Sequence, residues 1–331
     1  MTPALDTPIY DLIEYTAGNK AITDSIGMTY AILQRYRRPL CSISGGADSD
    51  IMLDLCARLD VERKMRYIWF NTGLEYQATR RHLDYLEERY HIRIERACAC
   101  RSIPACCKEY GLPFVNKIVS KYIEKLQLSG FKWENLPYEI LREKYPNNYA
   151  VEWWCNKRTS KKWNIEHNKY LKEFLVYNPP SFKISDKCCY YSKKKTAAKY
   201  YRIIGADLSI IGVRKSEGGA RSLAIKHCYS EDKGVFRPLF WYKDEDKKIY
   251  DRLFNIKHSE CYSKWGFKRT GCVGCPFNRH VFDELQAAGE HEPGLYAAAL
   301  AVFGESYEYT RKYREYVSAC KSGDKTLKLI P

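Results

Sequence analysis

The feature that most constrains the fold is a glycine-rich turn, Ser-Gly-Gly-Ala-Asp-Ser, at residues 44–49. It follows a short apolar run that begins at Pro39, and it precedes a segment, 50–59, in which Ile and Leu recur at helical spacing. This order predicts a strand, a tight turn and a helix. The glycines let successive backbone N–H groups point into one concavity at the helix N-terminus, an arrangement that binds phosphate or sulfate.

The turn and the end of its strand supply candidate anion ligands: Ser42, Ser44, Gly45, Gly46, Asp48 and Ser49. The hydroxyls of Ser44 and Ser49 add donors to those of the backbone. Because a carboxylate repels phosphate, Asp48 is expected to order the loop, cap the helix or help to hold a cation. An ordinary glycine turn is the alternative. A Walker loop is excluded because the Gly-Lys-Ser/Thr ending is missing.

Alternating apolar patterns indicate the fold class. Residues 1–38 and 79–90 have helical periodicity, whereas 65–70, 91–96 and 203–213 have strand character. Repeated strand–helix units predict an α/β fold with a doubly wound, Rossmann-like parallel sheet. The Lys-, Tyr- and Trp-rich stretch that follows is expected to be a mainly helical insertion. The predicted divisions are 1–97, 98–186 (the insertion), 187–280 and a helical tail, 281–331.

Composition bounds the setting of the chain. Of 331 residues 45% are hydrophobic, and no apolar run is long enough to span a membrane. The first residues lack the layout of a secretory signal, so we expect a cytoplasmic protein whose 14 cysteines are thiols, ligands or core residues. A formal net charge of +15 predicts an anionic partner such as nucleic acid. A solvated basic surface explains the charge equally well.

Two further segments follow predicted strands. Thr72, Gly73 and Glu75 come after the second strand, and ligands of open parallel sheets sit at the carboxyl ends of strands. Another strand leads into Gly212, Arg214, Glu217 and Arg221. The two guanidinium groups suit bidentate contact with phosphate or sulfate, and Glu217 is placed to orient one of them. The alternatives are a simple turn and a surface ion pair.

Taken in chain order, these motifs resemble the phosphoadenosine phosphosulfate (PAPS) and adenosine phosphosulfate (APS) reductase family of the PP-loop adenine nucleotide alpha-hydrolase superfamily. The segments that carry the resemblance are 44–49, 72–75, Cys188-Cys189 with Lys193, 212–221, 238–241 and Arg269 to Cys275. The resemblance implies a nucleotide, ATP or PAPS/APS, lying across the strand ends, with Mg2+ if the nucleotide is ATP. It implies catalytic roles for Lys193, Arg214, Glu217 and Arg221.

The resemblance also implies a [4Fe–4S] cluster held by Cys188, Cys189, Cys272 and Cys275, and thiolates are the usual ligands of such clusters. A structural zinc site or unligated core thiols are the alternatives. Either Cys228 or Cys261 is a possible substitute for one ligand. Four more cysteines, Cys98, Cys100, Cys106 and Cys107, form a group whose spacing matches no established ligand pattern.

The sequence departs from the reductases at its C-terminal end, where Glu-Cys-Gly followed by His does not occur and Cys320 is the nearest candidate nucleophile. Three functions therefore stay open. The first is ATP-dependent activation with sulfur transfer onto nucleic acid or a small molecule, using a sulfur donor. The second is sulfonucleotide reduction with a thioredoxin-like reductant. The third is a non-catalytic subunit that binds nucleotide or nucleic acid.

Overall fold

The computed structural model describes residues 2–218 and 225–322. The chain folds into two compact units, each built from two chain segments. The first unit comprises Met1–Cys100 and Lys193–Cys272. The second comprises Arg101–Ser192 and Val273–Pro331. Among the described helices none is both long and apolar enough to cross a membrane.

Within the described residues the first unit contains a six-stranded sheet in the order β3-β2-β1-β4-β6-β5. The strands are β1 (Pro39–Ile43), β2 (Arg66–Asn71), β3 (Ile94–Cys98), β4 (Leu208–Ile211), β5 (Tyr229–Ser230) and β6 (Val235–Phe236). Every neighbouring pair is parallel except β5 and β6, which are antiparallel. The predicted doubly wound parallel sheet is confirmed, with a short antiparallel strand added at one edge.

The helices surround this sheet and also form the second unit. In chain order they are α1 (Ile9–Tyr15), α2 (Lys20–Arg35), α3 (Ala47–Leu59), α4 (Gln77–Tyr90), α5 (Ile103–Tyr110), α6 (Lys117–Leu128), α7 (Tyr138–Lys144), α8 (Ala150–Trp154), α9 (Leu171–Tyr177), α10 (Lys187–Cys189), α11 (Lys195–Ile204), α12 (Asp244–Phe254), α13 (Glu260–Ser263), α14 (Val281–His291) and α15 (Pro293–Ser322). A π-helical turn, Tyr190–Lys194, connects α10 to α11.

Both faces of the sheet are covered because side chains alternate along each strand. On one face Cys41 and Ile43 of β1 belong to the main core, together with residues of α1 to α4 and α12. On the other face Leu40 of β1 packs with Ile68 and with Ile204 of α11. Helices on both faces protect the sheet from water, as a parallel sheet requires.

One predicted boundary is wrong. The strand expected over 203–213 covers only Leu208–Ile211, because α11 continues to Ile204. Gly205 ends that helix in the left-handed conformation, with φ +63°, and Ile203 is largely exposed on it. The apolar residues Ile203 and Ile204 therefore extended the apparent strand pattern into a helix end.

The second unit is helical over its described residues, apart from an isolated bridge between Leu112 and Ile184. Its core is aromatic: Trp153 and Trp154 are fully buried, and Trp153 stacks on Tyr122 with ring centroids 5.1 Å apart. The mainly helical character predicted for the insertion is confirmed. These buried rings stabilise the unit and are not available to stack on bases.

Candidate functional site

The loop between β1 and α3 has the backbone geometry of an anion cradle. Gly45 has φ +70°, and a Cβ there would lie 2.5 Å from Cγ2 of Thr79, so glycine is required. The N–H of Ser44 donates to Oγ of Ser49 at 2.9 Å, and the N–H of Gly46 donates to Oγ of Ser44 at 3.3 Å. The two serine hydroxyls thus brace the loop at the helix N-terminus.

Asp48 lies in the first turn of α3 and is surrounded by basic groups. Nε of Arg214 donates to its carboxylate at 3.0 Å, and the ammonium group of Lys247 forms a second, shorter ion pair. Burial alone would raise the pKa of Asp48, but Lys247 and Arg214 together lower it. The loop carboxylate is therefore ionised and its charge is compensated by cations from β4 and α12.

Arg214 and Glu217 follow β4, as the sequence indicated. Arg214 is buried and also donates to Asp244 at 2.9 Å. The Glu217 carboxyl is hydrogen-bonded to Asp48, and desolvation followed by that neighbouring carboxylate raises its pKa. Two acidic groups and two basic groups thus meet beside the loop. Arg221, the remaining predicted residue of this segment, lies outside the described residues.

Gly212 allows this close approach. A Cβ at Gly212 would be 3.4 Å from the backbone oxygen of Asp48, so the end of β4 runs directly beside the first turn of α3. Ser42, half-buried in β1, pairs in register with Ile68 of β2 and Ile211 of β4. The loop therefore leaves the sheet at the point where the strand order reverses.

The end of β2 contributes a second group of polar side chains to the first unit. The hydroxyl of Thr72 donates to the buried carboxyl of Glu75, and Gly73 has φ +88°. Burial raises the pKa of Glu75, although the nearby Lys193 ammonium opposes this. Sγ of Cys272 lies 3.7 Å from Oγ1 of Thr72.

Three residues near the loop were missed by the sequence analysis. Lys247 belongs to a run of charged residues with no motif of its own. The phenol oxygen of Tyr262 accepts the N–H of Ala47, at the start of α3, and lies 3.0 Å from the hydroxyl of Thr270. All three are distant from the loop in sequence, and no local signal could have identified them.

The four predicted cluster ligands divide between the units. Cys272 is the last residue of the first unit, whereas Cys188, Cys189 and Cys275 belong to the second. The possible substitutes Cys228 and Cys261 belong to the first. Over residues 2–218 and 225–322, no group of three or more His, Cys, Asp or Glu side chains is arranged to hold a metal ion.

The unassigned cysteine group is also divided. Cys98 ends β3 and Cys100 follows it, both exposed in the first unit. Cys106 and Cys107 are buried on α5 in the second unit, and Cys107 is hydrogen-bonded to Cys188. Spacing in the sequence did not separate the two pairs because the turn between β3 and α5 is short.

Known proteins were compared with the chain. Residues 38–126 match the model of the phosphoadenosine phosphosulfate reductase domain. The fold is similar to that of a PAPS reductase from Candida auris in a phosphate complex, with 12% identity, 82% of this chain and 98% of that chain covered, and a TM-score of 0.41. It is also similar to an NH3-dependent NAD synthetase from Campylobacter jejuni, with 11% identity, coverage of 92% and 94%, and a TM-score of 0.37.

A third structure is the U34-tRNA thiolase NcsA from Methanococcus maripaludis with its [4Fe-4S] cluster, at 15% identity, coverage of 93% and 80%, and a TM-score of 0.33. No protein of curated function matches the sequence. The matched span 38–126 includes both the glycine loop and Thr72 to Glu75. The resemblance predicted from the sequence is therefore confirmed over this span, which belongs to the phosphoadenosine phosphosulfate reductase domain family.

Proposed function

We propose that the chain is an enzyme that binds an adenine nucleotide at the loop of residues 44–49 and uses it to activate an acceptor for sulfur transfer. The observation that carries this proposal is the position of the loop. It connects β1 to the N-terminus of α3, beside β4, where the strand order reverses. Ligands of open α/β sheets bind at such a point, and helix N-termini attract phosphate.

The charges around Asp48 support a polyphosphate ligand. Arg214 and Lys247 are paired with Asp48, and phosphate oxygens are competing acceptors for the same donors. A bound nucleotide would take over these cations and release the carboxylates of Asp48 and Glu217. Carboxylate oxygens are donors that suit Mg2+, so these two residues would hold the cation that accompanies ATP.

With ATP, the reaction we propose is adenylation of the acceptor. An acceptor oxygen forms a bond to the α-phosphorus, the bond from that phosphorus to the oxygen of the β-phosphate breaks, and pyrophosphate leaves. The proton of the acceptor passes to solvent. Backbone N–H groups of the loop and the cations beside it stabilise the charge that develops at phosphorus. A sulfide equivalent then replaces the adenylated oxygen, and AMP departs.

The cofactor implied by the resemblance is a [4Fe–4S] cluster, which would supply iron sites that bind sulfide or pass electrons. Its fit rests on the donor set. Cys188, Cys189 and Cys275 lie in the second unit, where Cys188 is hydrogen-bonded to Cys189 and is influenced by Cys275. Soft thiolates are the usual ligands of these clusters. Cys272 remains a predicted ligand.

For the acceptor we propose nucleic acid, with a small molecule as the alternative. The chain has 55 Lys and Arg residues against 40 Asp and Glu residues. Binding of basic side chains to phosphates releases counterions, which favours association at low salt. A cytoplasmic setting, in which thiols stay reduced, suits this chemistry.

Sulfonucleotide reduction is the second candidate, and it would require a reactive thiol. Cys320 lies within α15, half-buried against the aromatic core of the second unit, and it is hydrogen-bonded to Tyr316. A nucleophile that must reach a nucleotide and then a reductant is better served by an exposed position. We therefore expect Cys320→Ser to leave the activity unchanged.

The test is anaerobic incubation of the full chain with ATP, APS and PAPS separately, each with and without bulk tRNA, DNA and a thiol reductant. Pyrophosphate and sulfite are measured in the same samples. We expect pyrophosphate from ATP that depends on the acceptor, at equal rates for wild type and Cys320→Ser. Sulfite that disappears in Cys320→Ser would establish the reductase instead. Nucleotide retention without either product would reduce the chain to a binding subunit.

A further inference from the structure

Cys107 is a thiol of the second unit that the predicted ligand set leaves out. It lies on α5, and its side chain is hydrogen-bonded to Cys188 on α10. Both residues are almost fully buried, at 5% and 4% exposure. Cys188 is hydrogen-bonded to Cys189 as well and feels the charge of Cys275. Four thiols from three chain segments are thus gathered within the second unit.

The helix that carries Cys107 is fixed relative to the Cys188-Cys189 pair. Tyr110, at the end of α5, stacks on Tyr191 with ring centroids 5.2 Å apart and planes 7° from parallel. Leu112 then donates its N–H to the backbone oxygen of Lys183 at 2.7 Å. The contact of Cys107 with Cys188 is therefore supported on both sides.

Tyr307 of α15 relates Cys107 to Cys275. Its hydroxyl donates to the backbone oxygen of Gly274, and a Cβ at Gly274 would lie 2.2 Å from that hydroxyl. Burial raises the pKa of Tyr307, and the charges of Cys275 and Cys107 raise it further. The same phenol thus lies near both thiols, and glycine at 274 is required for this contact.

We propose that Cys107 is the fourth thiolate ligand of the cluster, together with Cys188, Cys189 and Cys275, so that all four ligands belong to the second unit. The inference rests on the proposed presence of a cluster. Each thiolate of such a cluster binds a different iron, so the four side chains do not have to close around one ion. Cys272, with its thiol beside Thr72 in the first unit, is then not required as a ligand.

Cys106 provides a matched control because it neighbours Cys107 on the same helix and is equally buried. Its Sγ faces the backbone oxygen of Arg101 at 3.9 Å, a contact that Cys107 does not share. Serine replaces a thiol with little change in volume. The variants Cys106→Ser and Cys107→Ser therefore remove adjacent thiols and differ in which one would bind iron.

The experiment is anaerobic reconstitution of the full-length chain with iron and sulfide, followed by iron and sulfide analysis and electron paramagnetic resonance of the reduced protein. We expect about four irons per chain in the wild type. Cys107→Ser and Cys188→Ser should each lose more than half of the iron, whereas Cys106→Ser and Cys272→Ser should keep it. Circular dichroism confirms folding, and Cys107→Ala replaces Cys107→Ser if the serine variant unfolds.

Wild-type iron content in folded Cys107→Ser or Cys107→Ala would overturn the inference. So would a loss in Cys272→Ser as large as that in Cys188→Ser, because the ligands would then not all lie in the second unit. A wild-type chain that binds one zinc, or no metal, would also overturn it. None of these results affects pyrophosphate release from ATP or nucleotide binding, so failure of this inference is distinguishable from failure of the nucleotide proposal.

Discussion

At the scale of the residue, Asp48 is the centre of the nucleotide site. Its position in the first turn of α3 brings a negative charge to a loop suited to anions, and Arg214 and Lys247 compensate that charge. An uncompensated carboxylate would repel phosphate. The two cations therefore both neutralise the loop and supply donors to a ligand.

Replacing Lys247 by Met tests this role. The variant loses an ammonium donor and leaves Asp48 with less compensation, so ATP affinity should fall by about tenfold to a hundredfold, the range for hydrogen bonds to charged groups. Isothermal titration calorimetry under anaerobic conditions measures the change. Lys248→Met is the control, because Lys248 is exposed on the same helix. Equal ATP affinity in wild type and Lys247→Met would contradict the assignment.

His258 shows how a buried charge supports the same unit. Its Nδ1 lies 2.8 Å from Oδ2 of Asp50 on α3, and its Nε2 lies 3.2 Å from Oδ2 of Asp251 on α12. His82 of α4 approaches the same oxygen of Asp50 at 3.0 Å. Burial lowers the pKa of His258, but the two carboxylates outweigh it and raise the pKa to about 9.

The stability of the chain should depend on this protonation. Because the folded pKa exceeds the ordinary value of 6.5, protonated His258 stabilises the fold fully below pH 6.5, and the contribution is lost as pH rises through 9. The loss should be about 3 kcal/mol at most. Urea unfolding at pH 6 and pH 9.5 measures it, with His258→Gln as the comparison. An unchanged pH dependence in the variant would exclude His258 as its source.

At the scale of the element, α3 is anchored by a buried ion pair one turn beyond the loop. Asp54 accepts Nε of Arg58 at 2.7 Å and the hydroxyls of Tyr90 and Tyr250 at 2.9 and 2.8 Å. Both members of the pair are almost fully buried. The helix that forms the anion cradle is therefore held rigidly against α4 and α12.

Removing one partner of this pair should be costly. Asp54→Asn leaves the Arg58 guanidinium buried without a counter-ion, and the expected loss in free energy of unfolding is about 3–5 kcal/mol. Asp24→Asn is the control, because Asp24 pairs with Lys20 at an exposed position and should lose less than about 1 kcal/mol. Chemical denaturation compares the two. Similar losses would show that the buried pair does not anchor α3.

At the scale of the whole molecule, the sequence predicted what is local and missed what is distant. The loop at 44–49 was recognisable because its turn, strand and helix are contiguous. Lys247 joins the loop from about two hundred positions away, and only the packing of α12 on α3 brings it there. The cysteines illustrate the same limit, because their spacing did not indicate that Cys107 would contact Cys188.

The central claim is that the loop between β1 and α3 binds the phosphates of an adenine nucleotide. A crystal structure of the chain, grown anaerobically with a non-hydrolysable ATP analogue, tests it most directly. We predict phosphate density within hydrogen-bonding distance of backbone N–H groups of residues 44–49, with Lys247 turned from Asp48 toward the ligand. An empty loop at saturating analogue, or an analogue bound elsewhere, would contradict the account.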